Sequence, residues 1–127
     1  MRSETQNIVD AIRRSVDLVG RRMDRGTAAH RLEEFNARVE DPALWDDPAA
    51  AQRLMRDRQV LADKLALVEA MERELDDNVE LIAMGEAEGD EGIVAEAEAA
   101  LRALKDRAAQ QELEALLDGE ADANDTF

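Results

Sequence analysis

Apolar residues recur every three or four positions along most of the chain, which is the pattern of helices that bury one face. The first helix is predicted to begin near Ser3, because Ser3 and Gln6 match a capping box. A second helix is predicted to start at Thr27 and to stop before Pro42, since the residue ahead of a proline avoids the α region. The two apolar stripes are Ile8, Ile12, Val16, Val19 and Met23, then Ala28, Leu32, Phe35 and Val39.

The clearest helix start in the sequence is Asp47 followed by Pro48, an N-cap residue with a proline in the first helical position. From there to about Met84 no proline or glycine interrupts the chain. At 1.5 Å per residue this predicts a rod of roughly 54 Å. The glycines at 85, 89 and 92 are predicted to break it. Its apolar positions are Leu54, Leu61, Leu65, Val68, Leu75, Val79 and Ile82, with Arg58 and Glu72 at two further seam positions.

A last helix is predicted from about Glu91 to Leu117, with a stripe richer in alanine. Because a short turn joins the two long stripes, they are expected to pack antiparallel. The sequence thus predicts an all-α fold: an antiparallel bundle built on a long, coiled-coil-like helical hairpin, with two shorter N-terminal helices. Residues 1–117 are the predicted helical domain, and the acidic, aperiodic residues 118–127 a linker. The last stripe is Val94, Ala97, Leu101, Leu104, Ala108, Leu113, Leu116 and Leu117.

Composition and charge narrow the range of partners. The chain has 127 residues, 2% aromatic residues and no cysteine, so the core must be aliphatic, and disulfides and thiolate metal sites are excluded. No stretch approaches the ~18 apolar residues of a membrane span, and no signal peptide is expected, so we predict a cytoplasmic protein without a membrane partner.

The charge is unevenly distributed along the chain. The net charge is -15: residues 1–39 hold 8 basic and 6 acidic side chains, whereas residues 40–127 hold 8 basic and 25 acidic ones. Phosphate binding needs an excess of lysine and arginine. We therefore predict no direct nucleic-acid partner for the acidic part, while a small contact from the first part remains open.

Groups that could perform chemistry are few. His30 is the only imidazole, and no glutamate lies three residues before it, so the Glu-x-x-His pattern of a di-metal bundle is missing. Cysteine and tyrosine are absent, the only serines are Ser3 and Ser15, and no glycine-rich phosphate loop occurs. We predict no catalytic, cofactor-binding or metal-binding residue and no enzymatic activity.

Residues 40–52, "EDPALWDDPAAAQ", hold the only tryptophan and both prolines. Leu44, Trp45, Asp47 and Pro48 are our candidate structural or interaction residues. The favoured interpretation is a plug, in which the ring of Trp45 folds over the end of the bundle where the second and third helices meet. The alternative is an exposed anchor for a partner.

Residues 31–65, "RLEEFNARVEDPALWDDPAAAQRLMRDRQVLADKL", closely resemble the N-terminal region of bacterial class I peptide chain release factors of the release factor 2 type. In that family a Leu-Glu-Glu-x-Asn segment leads into a Pro-x-Leu/Val-Trp motif, then an Ala-Gln with Arg-x-x-Leu. Residues 116–127, "LLDGEADANDTF", resemble a Ser-Gly-Glu-x-Asp stretch that leads into the family's catalytic half. The helices between the two segments match the family in pattern only.

The resemblance implies a factor that recognises UGA and UAA and promotes hydrolysis of peptidyl-tRNA. The family's Ser-Pro-Phe and Gly-Gly-Gln motifs are absent from this sequence, so the resemblance implies the N-terminal helical domain alone, without catalysis or cofactors. The implied partners are the ribosome, through its stalk-base protein, and the GTPase that recycles release factors; the intact factor is not expected to form oligomers. The alternative function is a free-standing acidic coiled-coil scaffold or chaperone-like protein, which a reading frame continuing past Phe127 would exclude.

Overall fold

Four α-helices and one short 3₁₀ helix make up the computed structural model, which describes the backbone of residues 1–124 and the side chains of residues 1–117. The described residues contain no β-strand, so the predicted all-α class is confirmed. None of the described helices is long and apolar enough to cross a membrane. The elements are α1 (Ser3–Arg22), α2 (Arg25–Val39), the 3₁₀ helix (Pro42–Asp46), α3 (Pro48–Glu88) and α4 (Glu91–Asn124).

The helices α1 and α2 form one arm that runs antiparallel to α3. Arg25 pairs with Glu72, and further along the arm Asn36 accepts a hydrogen bond from Arg58 at 2.5 Å, so residue numbers rise on one side as they fall on the other. The helix α4 turns back along α3 and therefore lies parallel to α1, against which it packs. The predicted antiparallel hairpin with two shorter helices is confirmed.

One apolar core is shared by α1, α3 and α4, and none of its described members lies in α2. The apolar stripe of α2 instead packs against the N-terminal half of α3, where Leu32, Phe35 and Val39 are only half-buried. The molecule thus has a three-helix end and a two-helix end. The buried core residues are Ile8, Val9, Ile12, Val16, Val19, Val68, Met71, Leu75, Ile82, Ala97, Leu101, Leu104 and Ala108.

The first two helices begin differently from the predicted caps. Ser3 is already the first residue of α1, so it cannot cap the helix, and Gln6 donates to Asp10 at 3.0 Å instead of reaching back. The predicted capping box is therefore wrong. At α2 the N-cap position belongs to Asp24, whose φ is 51°, and the Thr27 hydroxyl donates to the Asp24 carboxylate at 2.9 Å.

The turn between α3 and α4 uses its glycines in different ways. Only Gly89 lies between the helices, with a φ of 70° that favours glycine. The helix α3 extends past Met84, and Gly85 is buried inside it. A glycine is needed there because a Cβ atom would lie 2.8 Å from Cγ2 of Val94. The prediction that all three glycines break the helix is wrong: one ends it, and one lets α4 approach.

The last helix continues beyond the predicted end at Leu117 and reaches Asn124. The side chains of the predicted linker, residues 118–127, lie outside the described residues, so its division from the domain remains a prediction. Leu113 and Leu117 are 50% and 52% exposed, contrary to the predicted stripe. At 3.6 residues per turn Leu113 lies about 140° around the helix from Ala108, and Ala115 packs against the core in its place.

Candidate functional site at the corner between α2 and α3

The corner between α2 and α3 is built by two aspartate–proline pairs. The Asp41 carboxylate accepts from the backbone N–H of Ala43 at 3.0 Å, which starts the 3₁₀ helix. The Asp47 carboxylate accepts from Ala50 N–H at 3.2 Å, and Pro48 is the first residue of α3. The predicted cap at Asp47 and the start at Pro48 are therefore confirmed. Both ends of the segment are held by side-chain caps.

Trp45 is not a plug. Its side chain is 54% exposed, and its indole N–H donates to the carbonyl oxygen of Val39, the last residue of α2, at 3.2 Å. The carbonyls in the last turn of a helix lack intrahelical partners, so they attract a nearby donor. Among the described residues α4 does not contact α2. Only two α-helices therefore meet near the ring, and they do not form an enclosed bundle end over which it could fold.

The four candidate residues lie together at this corner but differ in how far they are buried. The 3₁₀ helix packs on both α2 and α3, with Leu44 half-buried, while Trp45, Asp47 and Pro48 are exposed. No group among them is a nucleophile next to a base. The arrangement presents an apolar surface between two capped helix starts, which suits binding to a partner rather than catalysis.

The charged residues within this corner are all acidic. Glu40, Asp41, Asp46 and Asp47 are all acidic, and no lysine or arginine occurs in residues 40–52. The carboxylates of Asp41 and Asp47 cap backbone N–H groups. Those of Glu40 and Asp46 are exposed side chains beside the ring. The corner therefore presents an aromatic surface within an acidic rim.

A buried ionic cluster at the other end of the molecule was missed by the sequence analysis. Glu98 of α4 is 4% exposed and accepts from the Thr5 hydroxyl at 2.7 Å and from the Arg2 guanidinium at 2.8 and 2.9 Å. The hydrogen bond from Thr5, followed by that from Arg2, holds the pKa of Glu98 below its ordinary value. These bonds fasten the start of α1 to α4. The only sequence signal was a glutamate next to stripe residue Ala97.

A second ion pair lies at the junction of α1 and α2. The Arg25 guanidinium contacts the Glu72 carboxylate at 2.5 and 3.0 Å, and this hydrogen bonding lowers the pKa of Glu72. The pair borders an open cleft of about 570 Å³. Its lining combines arginine and carboxylate side chains with the apolar Val16 and Leu75. Its described lining contains no serine, threonine, cysteine, lysine or histidine.

Metal coordination has no support in the described side chains, which contain no group of three or more histidine, cysteine, aspartate or glutamate residues that could hold an ion. His30 lies on the exposed face of α2 with its Nε2 3.1 Å from the Glu34 carboxylate. This is an ordinary surface pair one helical turn apart.

The chain is similar to a known domain family and to several known proteins. The PCRF domain family matches residues 28–127. The chain is 59% identical over 127 residues to peptide chain release factor 2 of Roseobacter denitrificans and 60% identical to that of Ruegeria sp.. It is 48% identical over 127 residues to peptide chain release factor 2 of Paramagnetospirillum magneticum. In all three comparisons the match covers 100% of this chain and 34% of the relative.

Proposed function

Because the chain belongs to the PCRF domain family, with relatives that are peptide chain release factors 2, we propose that it is the docking and positioning module of a translation termination factor. The factor would direct release of the nascent peptide at UGA and UAA stop codons. One observation carries the proposal: the relatives match along the whole chain, yet the chain spans about a third of their length. In this proposal the remaining two thirds perform the other steps of termination.

The module has no catalytic role of its own in this proposal. Hydrolysis of the peptidyl-tRNA ester would belong to the longer factor, because the sequence has no Gly-Gly-Gln segment. The structure offers packed helices, capped ends and ion pairs, which serve to hold a shape. A rigid shape is what a positioning module needs.

The proposed partner is the ribosome, at the protein of the large-subunit stalk base, with the GTPase that recycles release factors nearby. A net charge of -15 supports contact with protein rather than with rRNA, since phosphate contacts need lysine and arginine in excess. We place the factor in the cytoplasm, where ribosomes translate, and propose that it acts there as a monomer.

The test compares the intact factor with a version that lacks residues 1–117, on ribosomes programmed with UGA, UAA or UAG. We expect the shortened factor to release peptide at saturating concentration but to need a higher concentration for half-maximal release. Release at UAG should be low for both. The 127-residue chain alone should release nothing. Peptide release by this chain alone, or identical concentration dependence and recycling of the two factors, would refute the proposed role.

A further inference from the structure

We propose that the acid-rimmed Trp45 corner is the surface by which the module docks, and that its partner is a protein surface with an apolar pocket edged by lysine and arginine. This inference rests on the proposed function and adds the site and the chemistry of the contact. The observation that carries it is a large aromatic ring, 54% exposed, that is held in one orientation by the hydrogen bond to Val39.

The corner is organised before any partner arrives. Pro42 and Pro48 fix the backbone φ at both ends of the segment. Asp41 caps the 3₁₀ helix that contains Trp45, and Asp47 caps α3, which follows it. The indole N–H is already bonded, so the ring offers its apolar face without leaving a donor unsatisfied. A fixed ring loses little conformational entropy on binding, and this raises affinity. Tryptophan is also over-represented among residues that dominate binding energy.

The charges around the ring define the partner. Glu40 and Asp46 are exposed, and together with the two capping aspartates they are the only charged side chains in residues 40–52, which gives the corner an acidic rim. Such a rim repels phosphate, so stacking of the ring on an RNA base is disfavoured. It attracts lysine and arginine, and complementary charge of this kind steers association and excludes wrong partners. A basic ribosomal protein surface fits these requirements.

The other exposed apolar side chains do not compete with this site. None of them is aromatic, and all lie on the faces of regular helices, where at most two neighbour each other one turn apart, as Leu81 and Met84 do. Trp45 differs because it lies at a turn, carries the largest ring and has a fixed orientation. The remaining exposed apolar side chains of the described helices are Val60, Leu67, Leu81, Met84, Leu113 and Leu117.

The experiment measures the dissociation constant of the dye-labelled 127-residue chain for purified large ribosomal subunits, and for rRNA extracted from the same subunits. We expect Trp45→Ala to weaken binding to subunits at least about tenfold. Trp45→Phe, which keeps a ring, should weaken it less. Met84→Ala is the matched control, because Met84 is exposed to a similar degree on a helix face, and it should bind as the unsubstituted chain does.

A charge variant tests the rim separately. The double change Glu40→Gln and Asp46→Asn leaves both capping aspartates in place, so the fold should be retained. We expect weaker binding to subunits with a flatter dependence on salt. Thermal unfolding of every variant is measured alongside, and this charge variant keeps the proposal testable if Trp45→Ala fails to fold.

The outcomes separate this inference from the function on which it rests. If the unsubstituted chain binds subunits and Trp45→Ala binds equally well, the inference is wrong while the docking function stands. Binding to the extracted rRNA that Trp45→Ala abolishes would overturn the protein partner in favour of base stacking. If the unsubstituted chain does not bind subunits at all, the proposed function itself fails.

Discussion

The two ends of the molecule bury their side chains to very different degrees. At the three-helix end, Ile12, Leu101 and Leu104 are completely buried between α1, α3 and α4. At the two-helix end, α2 packs mainly on α3 and also on the 3₁₀ helix. Ala28, Ala51 and Leu54 are buried there, but Phe35 and Val39 remain half-buried. The same apolar spacing thus buries the large side chains of all three helices where a third helix closes the core, and leaves the larger side chains of α2 partly exposed where none does. The comparison shows that burial depends on the number of neighbours as well as on the pattern.

Polar contacts differ between the two ends in the same way. The three-helix end contains a buried carboxylate, Glu98, which accepts from Thr5 of α1 and from Arg2 just before that helix. The two-helix end has exposed hydrogen bonds, from Arg58 to Asn36 and from Trp45 to the carbonyl of Val39. We infer that stability resides mainly at the three-helix end and that the two-helix end is left free to present a contact surface.

The largest expected loss of stability comes from shortening a side chain in the buried three-helix core. Leu104→Ala should lower the free energy of unfolding by about 2–5 kcal/mol, because the side chain is fully buried and its loss leaves a cavity. Leu32→Ala, the matched change in the half-buried seam, should cost clearly less. Urea denaturation of both variants checks this. Equal losses would contradict the difference between the ends.

Removing the buried charge should have the next largest effect. Glu98→Gln replaces a carboxylate that accepts from Thr5 and Arg2, and the loss should be smaller than that of Leu104→Ala because Arg2 is largely exposed and solvent screens its charge. Glu72→Gln, at the pair with Arg25 whose carboxylate is itself exposed, should cost less. Urea denaturation at pH 7 measures both. The interpretation fails if the exposed pair proves the more costly to break.

The same carboxylate should make stability depend on pH in the acid range. Its pKa is lowered in the folded chain, so its contribution is fully present above the unfolded pKa of about 4.3 and is lost as the pH falls through the folded value. We expect unfolding curves recorded at decreasing pH below this point to lose less stability in Glu98→Gln than in the unsubstituted chain. An unchanged pH dependence would show that Glu98 is not the group responsible.

Glycine substitutions probe how closely the helices approach. Gly85→Ala should destabilise the chain by about 1 kcal/mol or more, because the added Cβ would lie 2.8 Å from Val94 and overpacking outweighs the gain in helix propensity. Gly26→Ala is the control in α2, where the added Cβ meets no atom within 4 Å. That change should stabilise slightly. Thermal unfolding distinguishes them, and a stabilising Gly85→Ala would refute the close approach of α4.

The smallest expected stability effect concerns the corner. A buried Trp45 would have cost about 3–5 kcal/mol on removal, whereas a ring that is more than half exposed should cost about 1 kcal/mol or less when changed to alanine. Chemical denaturation of Trp45→Ala decides between the two. A loss in the larger range would restore the plug interpretation.

Local features of this chain were predictable from its sequence, and features set by distant neighbours were not. Asp47 and Pro48 start α3 as predicted because a cap and a fixed φ act within one turn. The exposure of Trp45 could not be foreseen, since it depends on how far α4 extends beside α2. The partners of Glu98 lie 93 and 96 residues away along the chain. Leu113 is predicted to lie on the buried face of α4 but is exposed. Apolar spacing therefore fails to predict burial where the buried face shifts around a helix.

We propose that one end of the molecule maintains the fold and the other docks. Hydrogen–deuterium exchange of the 127-residue chain, alone and with purified large ribosomal subunits, tests it most directly. Alone, amides of α1 and of the segments of α3 and α4 that share its core should exchange most slowly, and those of α2 faster. With subunits added, new protection should be confined to residues 40–52 and the adjoining turns of α2 and α3. Protection that appears instead on the three-helix end, with the corner unchanged, would contradict the claim.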